Sequence, residues 1–177
     1  MVRAGFAQTE FTPEPGLDLF GQMHRRVATH ARDPLMVSAV AFEPDEEPPI
    51  VLASVDVCVM PDPLVRRAQH AVEASSGIPA ERAVIHATHT HVAPATMDLM
   101  ESRANAAFLD RLVDAIASAA RDAVDDIGPL EVFSGVGRTD AMGWNRRGRF
   151  HNGTSRMYGH AEDDGWQAPE GPRDPAL

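Results

Sequence analysis

Three of the chain's eight histidines, His86, His89 and His91, fall within six residues. Imidazole nitrogens ligate zinc and exchange protons near neutral pH, so a cluster of them suggests metal or acid–base chemistry. His89 and His91 are one residue apart. In an extended backbone, positions i and i+2 project from the same face, which lets both rings converge on one metal ion or one substrate group. His86 falls on the opposite face under the same rule and is expected to be structural. Isolated histidines are usually surface or satisfied core residues, but three at the polar end of the apolar run Ala83–Ala87 favour a site.

A catalytic zinc needs about three protein ligands. Asp56, His24, His151 and His160 are the partners the chain offers, and no spacing singles out one of them. Asp56, in Ser54-Val55-Asp56, lies among apolar residues where a charge needs a partner or a metal. It would equally serve as a cap at a strand end. Cys58, the one cysteine, excludes an intrachain disulfide and sits within the apolar run Ile50–Met60, where a buried, inert thiol is expected. Nucleophilic catalysis has no Gly-x-Ser-x-Gly elbow to support it, and Gly135-x-Gly137 is too short for a dinucleotide fingerprint. The paired arginines of Asn145-Arg146-Arg147 can grip a carboxylate or phosphate, or can form a solvated turn.

The elements that would position these residues follow from period and punctuation. Val2–Phe11 reads as a strand running into the turn Thr12–Gly16, and Leu17–Asp33 as a long loop with polar groups available for function. Leu35–Phe42 and Ile50–Met60 read as an antiparallel hairpin across an acidic, proline-bearing turn. Asp62-Pro63 opens a helix with Leu64, Val65, Ala68, Ala71 and Val72 on its apolar face, and Gly77-Ile78-Pro79 ends it. With the strand Ala83–Ala87 this forms a βαβ unit, which puts the histidines at the carboxyl end of a parallel strand, where α/β sheets carry ligands. Ser102–Ile127 is expected to be an amphipathic helix closed by Gly128-Pro129, followed by a strand over Leu130–Val136 that Gly137–Gly143 extends. The fold class is α/β, a mixed sheet with a βαβ unit and flanking helices. Residues 1–144 form its α/β portion and 145–177 a polar, loop-rich end of the same domain.

A formal net charge of −10 argues against a nucleic-acid partner, because phosphates require a basic face. All sixteen basic residues are arginine. The amino terminus lacks the apolar core of a secretory signal, and no apolar run is long enough to span a bilayer, so a cytoplasmic location is expected.

Five segments together resemble the amino-terminal part of the neutral/alkaline, non-lysosomal ceramidase family. They are Gly5–Pro13, Asp33-Pro34-Leu35, Ser54-Val55-Asp56, Ala87-Thr88-His89-Thr90-His91-Val92-Ala93-Pro94 and Asn145-Arg146-Arg147. Their order and spacing match through almost all of the chain, and the Thr-His-Thr-His segment ahead of a proline is the most specific. The family is one of zinc-dependent amidases that cleave ceramide to sphingosine and a fatty acid. The resemblance therefore implies zinc as cofactor, His89 as its ligand, His91 as a substrate-facing neighbour, Arg146 near the substrate, and a lipid amide as small-molecule partner.

The chain also departs from the family. Members are much longer, and their further zinc ligands (a histidine, a glutamate and a tyrosine) come from regions without a counterpart here. Gly171–Pro175 looks like the opening of the family's next strand. Ala95 and Thr96 replace glycines that follow the motif's proline. The chain is accordingly expected to be truncated, incomplete relative to the full family domain, and inactive alone. The alternatives are a non-catalytic remnant or binding module, or a metal-dependent hydrolase of a smaller substrate on the same scaffold.

Overall fold

A computed structural model describes residues 3–139, 141, 145–172 and 174. The chain divides into two compact units, Met1–Val132 and Phe133–Leu177. The first is built on a five-stranded sheet with the order β6-β5-β4-β1-β7. Strand β4 (Met36–Glu43) pairs antiparallel with β1 (Arg3–Glu10) on one side and β5 (Ile50–Val55) on the other, and β7, the two-residue edge Gly128–Pro129, pairs antiparallel with β1. Strand β6 (Ala83–Ala87) pairs parallel with β5 across helix α1 (Asp62–Ser76) and a 3-10 turn, Ala80–Arg82. This is the mixed sheet with a βαβ unit expected from the sequence.

Register explains which residues form the core. Gly5, Ala7 and Thr9 of β1 align with Ala41, Ala39 and Val37 of β4, which align with Val51, Ala53 and Val55 of β5 and then Ala83, Ile85 and Ala87 of β6. That face is small or β-branched and lies under helix α2 (Ala106–Asp125), whose Phe108, Leu112, Ile116, Ala119 and Ala123 are buried. Small side chains let helix and sheet approach closely: a Cβ at Gly5 would stand 2.1 Å from the carbonyl oxygen of Ala123. Asn105 caps α2 by accepting from the Phe108 N–H at 3.0 Å, and Gly77 ends α1 in the left-handed conformation at φ 74°. The opposite face carries the row Phe6, Val40, Leu52 and Val84, of which Phe6, Leu52 and Val84 are exposed.

Several expected boundaries are corrected. β5 stops at Val55 instead of reaching Met60, because Asp56 turns aside to accept from the Met36 N–H at 3.0 Å. Within the expected loop Leu17–Asp33, strands β2 (Asp18–Leu19) and β3 (Arg26–Val27) pair as a short hairpin. Leu130–Val136 forms no strand; Val132, Phe133 and Val136 are largely exposed, and β7 pairs only with Ala4 and Arg3, so the residues after Pro129 run past the described start of β1. The extension over Gly137–Gly143 is not seen in residues 137–139, while 140, 142 and 143 lie outside the described residues.

The second unit carries more strand than its polar composition suggests. Strands β8 (Arg147–Phe150), β9 (Ser155–Met157) and β10 (Trp166–Pro169) form an antiparallel sheet in the order β10-β8-β9. Phe150 is buried there, with the Arg156 guanidinium 4.3 Å from its ring centre.

Candidate metal centre

The histidines leave β6 as the strand ends. Thr88 N–H still donates to Val55 O at 2.9 Å and His89 N–H to Val57 O at 3.1 Å, so the ladder to the β5 segment continues just past both strands. At His89 the backbone turns left-handed, with φ 66°, a conformation costly for a residue bearing a Cβ. The convergence of His89 and His91 therefore comes from a turn and not from strand alternation. Their Nε2 atoms stand 3.2 Å apart with the rings edge to face. His86 remains on β6, aligned with Ser54 on the face opposite α2, apart from this pair.

Local bonds fix the orientation of both rings. His89 Nδ1 stands 2.7 Å from the carbonyl oxygen of Cys58, which places the proton on Nδ1 and leaves a lone pair on Nε2. The same arrangement, with one ring nitrogen anchored to a carbonyl, orients histidines that bind metals. Behind His91 lies Gly21, with φ 95°, where a Cβ would fall 2.5 Å from the His91 ring. Arg26 donates to the carbonyls of His91 and of Phe20, while its Nε is buried without a partner among the described residues.

In the β2–β3 hairpin that carries Gly21 and Arg26, the β2 arm is held to the segment after His91. Phe20 N–H donates to Ala93 O at 3.1 Å and Ala95 N–H to Asp18 O at 2.8 Å. The buried Asp18 carboxylate accepts from Arg25 and from the Arg103 N–H at 2.9 Å, and these bonds hold its pKa below the ordinary carboxylate value. Ala95 and Thr96 are buried, and Thr96 donates to Val59 O at 2.7 Å.

The donors fit a metal. Two ligands on a tetrahedral ion at about 2.0–2.1 Å stand about 3.3–3.4 Å apart, close to the separation found here. Sequence reasoning missed a third donor. Cys58, His89 and His91 offer ligand atoms that all lie within 4.8 Å of one another, the only such group found among the described residues. Reading β5 through to Met60 hid Cys58 inside a strand, whereas the early end at Val55 brings it beside His89. Asp56 is committed to Met36 and is not in this group.

Arg146 belongs to the second unit, where its guanidinium lies 5.3 Å from the Tyr158 ring centre. Its neighbour Arg147 pairs with Glu170, an interaction that pulls the Glu170 pKa down to about 2. Beside the histidine loop, a cleft of about 620 Å³ is lined by Leu19, Val27, Leu35, Asp56, Val92 and Pro94 among others. No helix among the described residues is long and apolar enough to cross a membrane.

No protein-family model matches the chain, and no curated protein matches it. Solved structures do match. A ceramidase complexed with C2 superimposes with a TM-score of 0.72 at 18% identity, covering 82% of this chain and 24% of that one. Neutral ceramidase from Pseudomonas aeruginosa gives 0.71 at 17% identity, over 85% of this chain and 25% of that one. The chain spans about a quarter of the length of these neighbours. It is built on a neutral ceramidase-like fold, of which it forms a partial domain.

Proposed function

We propose that this chain supplies part of the active site of a zinc-dependent amide hydrolase of the ceramidase type, acting on an N-acylated sphingoid lipid. The observation that carries the reading is the 3.2 Å approach of the His89 and His91 Nε2 atoms at the end of a parallel strand. His89, with Nδ1 tied to a carbonyl, ligates the metal through Nε2. His91 reaches the same point and faces the group bound there. Zinc would polarise the amide carbonyl and lower the pKa of a bound water to about 7. Only the resemblance to the ceramidase family supports Arg146 as a substrate contact. The mostly apolar cleft beside the loop suits an alkyl chain, since ligand pockets of roughly 300–1,000 Å³ bury most of what they hold.

A second reading rests on the Cys58, His89 and His91 group alone: a metal-holding module without catalysis of its own. Zinc-loaded protein assayed for fatty-acid release from N-acylsphingosine and from short N-acyl amides separates the readings. Release from the long-chain lipid amide, lost in His89→Ala, supports the ceramidase type. Release from short amides alone points to a smaller substrate. Stoichiometric zinc with no hydrolysis of either leaves the module reading.

A further inference from the structure

We propose that Cys58 joins His89 and His91 as a third donor, so that this chain holds zinc by itself in a Cys-His-His site. The inference rests on His89 as metal ligand and departs from the reading above in giving His91, as well as Cys58, to the metal. Cys58 follows β5 and the histidines follow β6; the two segments are joined by the Thr88 and His89 N–H bonds to Val55 and Val57. Cys58 therefore contacts His89 twice. Its carbonyl accepts from Nδ1 at 2.7 Å, and its Sγ lies 3.7 Å from the same nitrogen.

Three donors are the number with which a catalytic zinc keeps one position open. A thiolate with two imidazoles selects zinc over the oxygen-seeking magnesium and calcium. The nearby carboxylate of Asp56 is engaged with Met36 N–H and offers no competing oxygen set. From ordinary bond lengths, sulfur and nitrogen on one tetrahedral zinc stand about 3.6 Å apart. The Cys58, His89 and His91 ligand atoms lie within 4.8 Å of one another and must draw together to reach it, and the sulfur, which lies against Nδ1 of His89, must swing toward its Nε2 side.

Cys58 is buried with Phe20, Ala95 and Val59. When the metal binds, the S–H bond breaks, its proton passes to solvent, and the sulfur lone pair forms the metal bond.

Cobalt titration of the full chain tests this directly, because Cys58 is the one cysteine and any thiolate-to-cobalt band must come from it. The expected result is one cobalt per chain, a near-ultraviolet thiolate charge-transfer band, and displacement of both by zinc. Even changes outside the ligand set cost about 10–100-fold in metal affinity, so Cys58→Ser should lose the band and weaken binding at least about tenfold. Cys58→Ala and circular dichroism separate this from misfolding. Cobalt binding without the band, or unchanged affinity in Cys58→Ser, overturns the Cys58 assignment; if His89→Ala still abolishes binding, His89 as a ligand stands. The band without hydrolysis upholds this site and removes the hydrolase. No binding at all overturns both.

Discussion

At His89 the backbone has φ 66°, in a region where a side chain costs about 1–3 kcal/mol. The strain is what carries the ring out of the strand and onto His91. Glycine takes this conformation freely, so His89→Gly is expected to be more stable than His89→Ala by about 1 kcal/mol in urea denaturation, though both lose metal. Equal stabilities would show that the left-handed turn is not maintained. Gly21 is the complementary case: at φ 95° with the His91 ring 2.5 Å from an added Cβ, it has neither the conformation nor the space for a side chain. Gly21→Ala should displace His91 and reduce zinc affinity at least about tenfold by calorimetry. The importance of His89 was legible from its spacing; the requirement at Gly21 was not, because only the folded hairpin brings residue 21 to residue 91.

At the scale of elements, period and punctuation identified β1, β4, β6 and both helices, because each buries one face against a neighbour. The same reasoning failed at Leu130–Val136. An apolar segment becomes a strand only when a partner is available, and the residues after Pro129 run past Arg3, where no described strand remains to pair with them. Helix α2 provides two graded tests. Asn105→Ala removes the cap on the Phe108 N–H and should cost about 1 kcal/mol. Gly5→Ala forces a Cβ to within 2.1 Å of the Ala123 carbonyl, so α2 must lift from the sheet, at a cost near or above the roughly 3 kcal/mol upper range of overpacking. Thermal unfolding of the two variants should therefore rank Gly5→Ala well below Asn105→Ala.

At the scale of the whole molecule, the charge of −10 makes acid titration the informative perturbation. Glu170 is held at about 2, against an ordinary value of 4.5, first by Arg147 and then by Ser155. A carboxylate with a lowered folded pKa contributes stability above its unfolded value and loses it as pH falls through the folded value. The second unit should accordingly weaken between about pH 4.5 and about 2. Trp166 lies on β10 of that unit, so tryptophan fluorescence during denaturation reads it. Arg147→Ala should flatten the dependence. A profile unchanged by that substitution would remove the pair as its cause.

By itself, the sequence determined the α/β class, the βαβ placement of the histidines at a strand's carboxyl end, and the match to the ceramidase pattern. These depend on local period, on turn residues and on short motifs, all written contiguously. Only the tertiary structure decided where β5 ends, and with it whether Cys58 is a core thiol or a neighbour of His89. That choice rests on a bond between Asp56 and Met36, residues twenty positions apart. Contacts of this kind depend on which backbone groups are left unpaired once the sheet has formed, and no window of sequence contains that information.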